Sequence, residues 1–177
     1  MSRKSMFEYE GKEATVTWDG KLCIHIGECG KAKGELFVGD RKPWCDPDLS
    51  SNADVQEIVQ RCPSGALSVE FADGSVAEVA ADRNSVQVSY NGPLFVTGDL
   101  DIEDAPTEVP GLKFRAALCR CGQSKNKPYC DNSHESAGFQ DHGAVGDRGD
   151  SAAETGGPLQ IKFAKDGPIL VNGTLRV

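Results

Sequence analysis

Hydrophobic and polar residues alternate at Leu67, Val69 and Phe71, a period of two that predicts a half-buried strand. Asp73-Gly74 is a hairpin signal, and Val76 and Val79 follow it as a returning arm. Val86, Val88 and Tyr90 predict a further strand. Between Cys45 and Cys62 the period changes. Val55, Ile58, Val59 and Cys62 recur at helical spacing, with starter residues at Pro47 and Ser50-Ser51-Asn52, and Pro63 stops the helix. Cys62 therefore ends the apolar face of that helix, its thiol pointing inward.

One stretch recurs. Gly92-Pro93-Leu94-Phe95-Val96-Thr97-Gly98-Asp99-Leu100-Asp101-Ile102 matches Gly167-Pro168-Ile169-Leu170-Val171-Asn172-Gly173-Thr174-Leu175-Arg176-Val177, with five identities and two conservative exchanges. Each copy predicts a turn and a strand pair with a glycine kink or bulge, giving two similar hairpins that meet in one sheet. Residues 140–158 are small, polar and glycine-rich, and predict a long exposed loop or insertion.

At 177 residues the chain is one domain or two small ones. The balance of 19 basic against 27 acidic residues gives a net charge of −8, which repels phosphate backbones and argues against nucleic-acid or membrane-surface binding. No apolar run approaches ~18 residues, so no bilayer span is expected, and the first residues lack the apolar core of a signal peptide. Seven cysteines cannot all pair. With nothing pointing to secretion, the expectation is a reducing compartment, the cytoplasm, and thiolates used as ligands.

Cys119, Cys121, Cys130 and His134 stand as C-x-C-x8-C-x3-H. Three soft thiolates and one imidazole this close together form a metal site by chemistry alone. Two cysteines one residue apart on an extended segment can hold one iron of a binuclear cluster. Cys130 and His134, one helical turn apart, can hold the other, with Ser133 or Asp131 capping that turn. Structural zinc and unligated buried cysteines are the alternatives.

The run CRCGQSKNKPYCDNSH resembles the CDGSH iron–sulfur (NEET) signature, and Ser124, Pro128, Cys130, Asp131, Ser133 and His134 all fall on its pattern. Asn132 departs from it, standing where the signature has glycine. Asparagine is the next residue most tolerant of left-handed backbone, so the turn is expected to survive. The resemblance implies a 2Fe–2S cluster held by Cys119, Cys121, Cys130 and His134 in a β-rich cradle, which in the family is often a dimer or an internal pseudo-dimer. A ligating imidazole must be free of a proton at the metal-binding nitrogen, so acid is expected to labilise such a cluster. By analogy with Rieske centres, imidazole in place of thiolate raises the reduction potential.

The first cysteine group is Cys23, Cys29, Cys45 and Cys62. Cys23 and Cys29 enclose CIHIGEC, and Cys62 opens CPSGAL. The middle cysteine of a bacterial ferredoxin run is absent, with Ile26 in its place. The segments WDGKLCIHIGEC, ELFVGDRKPW and QRCPSGAL are similar to the divergent single-cluster ferredoxin domain found fused to CDGSH motifs. Three thiolates suit a 3Fe–4S or an incompletely ligated 4Fe–4S cluster. Cys45 is either a fourth ligand or a small buried hydrophobe, and His25, inside the ligand loop, either coordinates or packs.

The expected fold class is therefore α+β. Residues 1–80 form a small ferredoxin-like α+β domain, and residues 81–177 a β-rich CDGSH iron–sulfur domain. GDRGD and GECGK lack the context of a phosphate loop, and no hydrolase or kinase motif occurs. A non-enzymatic electron carrier with two clusters is expected, its partners being redox proteins. The alternative is a redox- or acid-responsive donor of clusters to apo-acceptor proteins, or a sensor. Lys125 and Lys127 either steer an acidic partner or are plain surface lysines, and His142 is expected to be exposed. A homodimer and a single chain whose repeat completes its own sheet are both open.

Overall fold

The computed structural model describes residues 5–146, 156–165 and 167–177. The centre of the polar loop expected at 140–158, with most of its GDRGD run, lies outside the described residues. Strands β1 (Met6–Glu10) and β2 (Ala14–Asp19) form an antiparallel pair, followed by a short helix α1 (Glu28–Lys31) and the helix α2 (Asn52–Gln60). Strand β3 (Leu67–Phe71) then pairs antiparallel with β2.

Helix α2 forms over Val55, Ile58 and Val59 as the periodicity places it, but it ends at Gln60, so Cys62 lies just beyond the helix rather than at the end of its apolar face. The Ser51 hydroxyl accepts from the Asp54 amide at 3.2 Å, an N-cap that contributes about 1 kcal/mol. Val55, Ile58 and Val59 are buried against Val16, Leu36 and Cys45, each stabilising by about 1.5–3 kcal/mol. The returning arm expected at Val76 and Val79 does not form. Both side chains are about three-quarters exposed, at 72% and 73%, and the segment runs as coil. It is tied down by side chains instead: Gln60 donates to the Ala77 carbonyl at 3.1 Å, and Glu78 pairs with Arg115.

The remaining strands are β4 (Ser85–Val88), β5 (Leu94–Thr97), β6 (Asp99–Ile102), β7 (Arg115–Leu118), β8 (Pro158–Phe163) and β9 (Ile169–Asn172), with a short helix α3 (Ser133–Ser136) before β8. They make two three-stranded sheets, β4-β5-β7 and β6-β8-β9. The whole is α+β and rich in strand.

The repeat is structural, but its copies are not hairpins in one sheet. In the first copy β5 pairs antiparallel with β4, and β6 pairs parallel with β8. In the second, β9 pairs antiparallel with β8, and Arg176 bridges parallel to Ser85 of β4. Each copy thus crosses from one sheet to the other, in opposite senses. The crossings fall at Gly98 (φ +147°) and Gly173 (φ +138°), where a side chain would be strained and the ladder breaks. Asn84, fully buried, ties the crossings together. It donates to the carbonyls of Gly157 (2.8 Å) and Thr174 (2.9 Å) and accepts from the Asp99 amide at 3.0 Å.

The two sequence units meet in a shared core. Leu22 and Ala66 of the first pack with Val96, Leu112, Leu118 and Leu159 of the second. At Gly65 the main chains come so close that a Cβ would stand 2.4 Å from the Arg115 carbonyl. Only glycine fits there.

Candidate functional site

The second cysteine group is assembled by a tight reversal of the chain after β7. Leu118 and Tyr129 form a bridge, the Cys119 amide donates to the Pro128 carbonyl at 2.8 Å, and the Cys130 amide donates to the Ala117 carbonyl at 2.8 Å. Buried Ser124 holds the loop between, donating to the Tyr129 carbonyl at 2.6 Å and accepting from the Asn126 amide at 3.0 Å. Asp131 pins its two ends, accepting from the Lys125 amide at 2.8 Å and the Ser133 amide at 3.0 Å. Burial pushes the Asp131 carboxyl upward, but the Ser133 hydroxyl, then the Lys125 and Ser133 amides and the Ser124 hydroxyl, outweigh it and bring its pKa down to about 2. The carboxylate, rather than Ser133, therefore caps the turn that carries His134.

Cys119 Sγ and Cys121 Sγ stand 3.9 Å apart, and Cys130 Sγ stands 3.4 Å from His134 Nδ1. Two thiolates about 2.3 Å from one tetrahedral metal ion are roughly 3.8 Å apart, and a thiolate and an imidazole slightly closer. Both pairs fit that spacing. Among the described residues no three His, Cys, Asp or Glu side chains gather closely enough to hold a single ion. Two pairs, one for each iron of a binuclear cluster, suit this arrangement better than one mononuclear zinc. The Gln123 amide points at Cys121 Sγ and the Asn132 amide at Cys130 Sγ, each at 3.4 Å, the bonds that favour thiolate. Burial pushes the Cys130 thiol up, partly offset by the Asn132 amide.

The first group divides. Cys23, Cys29 and Cys62 line one cavity of about 490 Å³, walled also by Phe7, Trp18 and Trp44. Burial, then the neighbouring Cys62, raises the Cys29 thiol. A partly enclosed space with three cysteines and aromatic side chains on its wall has the donor chemistry for a cluster. Cys45 is not on that wall. It is 1% exposed, packed with Val55 and Val59, and burial pushes its thiol up to about 12. His25 is on the wall, with left-handed backbone (φ +53°) and Nδ1 3.9 Å from Cys23 Sγ. Ile26, at the position of the absent cysteine, is also on the wall, at its solvent-exposed side (44% exposed).

The two sites adjoin. Ile24, next to Cys23, is buried against Cys130 and Ala117. Asn132 Nδ2 donates to the Ile24 carbonyl at 2.7 Å, and Asn126 Nδ2 to the Lys21 carbonyl at 2.9 Å. Sequence reasoning saw only the backbone tolerance of Asn132, which does adopt φ +65°. It passed over Asn126 and two arginines. Arg120 lies over the Phe139 ring, donates to the carbonyls of Gly92 (2.9 Å) and Ser89 (2.5 Å), and pairs with Asp141. A methyl group on Gly92 would stand 3.9 Å from His134 Nε2, so Arg120 keeps that turn behind the histidine ring. Arg115 is the second. No local signal marks these residues, because their partners are carbonyls distant in sequence.

A family model described as a divergent 4Fe–4S mono-cluster matches residues 9–71, and one described as an iron-binding zinc finger of CDGSH type matches residues 91–135. The chain is 41% identical over 59 residues to the uncharacterized protein YjdI of Escherichia coli (strain K12), covering 33% of this chain and 78% of that protein. It is 31% identical over 91 residues to a CDGSH iron–sulfur domain-containing protein 2 homolog of Drosophila erecta, covering 51% of this chain and 54% of the relative. The same holds for the Drosophila sechellia homolog. No solved structure matches this chain.

Proposed function

We propose that this chain, which belongs to the divergent 4Fe–4S mono-cluster and CDGSH iron–sulfur families, is a two-cluster electron carrier. The observation that carries the proposal is the meeting of the two cysteine loops through Ile24, Cys130 and Asn132. When bound, the clusters supply one-electron oxidation and reduction. Cys119, Cys121, Cys130 and His134 would hold a 2Fe–2S cluster. Cys23, Cys29 and Cys62 would hold a 3Fe–4S cluster, or a 4Fe–4S cluster whose fourth corner is open to His25. Cys45 belongs to the core.

Each of the seven cysteines is a free thiol, which supports a reducing compartment such as the cytoplasm. No described helix is long and apolar enough to cross a membrane. Exposed Lys125 and Lys127 lie in the loop of the second site and favour an acidic redox protein as partner. The two repeat copies complete each other's sheets within one chain, which favours a monomer over a homodimer.

Anaerobic reconstitution followed by iron and sulfide counting tests this reading. About six irons mean 2Fe plus 4Fe and about five mean 2Fe plus 3Fe, with two distinct EPR signals. Zinc, or a single signal, overturns it. Mixing loaded protein with an apo-ferredoxin separates carrier from donor: retention of both clusters through redox cycling is the expected result, and transfer of either one makes the protein a cluster donor.

A further inference from the structure

We propose that Asn132 couples the two cluster sites, holding the loop of one against the loop of the other so that a cluster bound at either tightens its neighbour. The proposal rests on the two-cluster reading above. Asn132 touches both sites with different atoms. Its main-chain amide points at Cys130 Sγ at 3.4 Å, and its side-chain amide donates to the Ile24 carbonyl, one residue from Cys23, at 2.7 Å. A glycine would meet the need for left-handed backbone at φ +65° equally well, but would leave the Ile24 carbonyl without this donor.

The Cys23 loop needs such a hold. After β2 it makes no strand pairing, its helix α1 spans four residues, and His25 and Ile26 are exposed. Its start is tied locally, the Lys21, Leu22 and Cys23 amides donating to Asp19, and the rest is held from across the unit boundary: Asn126 on the Lys21 carbonyl, Asn132 on the Ile24 carbonyl, and the Ile24 side chain against Cys130. These contacts bracket Cys23 on both sides. A cluster at the second site turns Cys130 into a fixed thiolate and strengthens the amide bond from Asn132. The side chain of Asn132 is then already ordered, so the cost of ordering the Cys23 loop falls. Linkage makes the effect reciprocal.

The test is hydrogen exchange of the amides of residues 21–26 in the full, reconstituted chain, with the second site loaded or emptied by Cys121→Ser. Emptying it is expected to speed exchange in this loop about fivefold, the contribution of one net hydrogen bond. In Asn132→Gly the loop exchanges at the faster rate whether or not the second site is loaded, the loading of each sample being fixed by its iron and sulfide count. Asn132→Asp, which keeps the side-chain shape and removes the donor, gives the same result if the glycine variant fails to load. A wild-type loop indifferent to the second site, or an Asn132→Gly loop that still responds to it, overturns the coupling alone. Wild-type protein that loads only one site overturns the two-cluster reading and the coupling with it.

Discussion

Arg115 Nη1 donates to the main-chain carbonyl of Cys62 at 2.5 Å, so a buried cation on β7 fixes the turn just after α2 that carries a cysteine of the first group. The same guanidinium donates to the Val59 carbonyl at 2.9 Å and the Leu67 carbonyl at 3.1 Å, and pairs with Glu78 at 2.8 Å. One side chain thereby adds hydrogen bonds just past the C-terminal end of α2 and holds the coil after β3. Arg115→Ala is expected to cost about 3–5 kcal/mol, because it leaves the largely buried Glu78 carboxylate without its partner. Glu78→Gln keeps a hydrogen-bonding group and is expected to cost less. Urea denaturation of the cluster-free proteins measures both, and near-wild-type stability of Arg115→Ala would contradict this role.

Cys45 provides a separate test of the first site. Cys45→Ala is expected to leave the iron and sulfide content unchanged and to lower stability by about 1 kcal/mol, the effect of removing one buried heavy atom. Cys62→Ala should lose iron from the first site. The Cys45 thiol ionises near 12 in the folded chain, against 9.0 when unperturbed. Its stabilising contribution is therefore complete below pH 9.0 and is lost as pH rises toward 12. The cluster-free protein should weaken across that window, and Cys45→Ala should weaken less steeply. Iron loss from Cys45→Ala, seen by metal analysis, would make Cys45 a ligand after all.

Asp131 acts on the acid side. Its folded pKa of about 2 lies below the unperturbed 3.8, so its contribution is present above 3.8 and disappears as pH falls toward 2. Asp131→Asn removes a carboxylate that accepts from two amides in the second-site loop. It is expected to hasten loss of the second cluster at neutral pH and to flatten the acid dependence of stability between those values. Visible absorbance follows the first effect and circular dichroism of the cluster-free chain the second.

His134 should set the lability of the loaded second site. Cluster loss is expected to be several-fold faster at about pH 5.5 than at about pH 8, because a proton competes with the metal for the imidazole. His134→Cys should abolish most of that difference. Unchanged acid sensitivity in the variant, followed by the decay of visible absorbance, would remove His134 from the ligand set.

Asn84 and Gly98 test the crossing of the repeat. A Cβ on Gly98 would stand 1.9 Å from Asn84 Oδ1, on backbone at φ +147°. Gly98→Ala is expected to destabilise more than Asn84→Ala, which breaks three buried hydrogen bonds at a cost of about 2–4 kcal/mol. Thermal melts rank the two, and a mild Gly98→Ala variant would contradict the close packing at the crossing.

The sequence by itself determined the parts whose chemistry is local. Cys119, Cys121, Cys130 and His134 are brought together by a reversal encoded within sixteen residues, and α2 follows from its own cap, apolar face and stopping proline. The repeat was legible as a pattern, since Gly98 and Gly173 mark the kinks. Tertiary structure decided the rest. Whether β5 and β6 share a sheet depends on β8 and on Asn84, both distant in sequence, and Val76 and Val79 form no strand because Arg115 and Gln60 claim their segment. The partition of the first cysteine group was likewise undecided by spacing: Cys45 faces the α2 core and Cys62 the cavity because strand and helix packing aim them differently. The meeting of the two cysteine loops rests on hydrogen bonds between residues 108 and 105 positions apart. Such bonds end on main-chain carbonyls, which every residue possesses, so no residue type could announce them in advance.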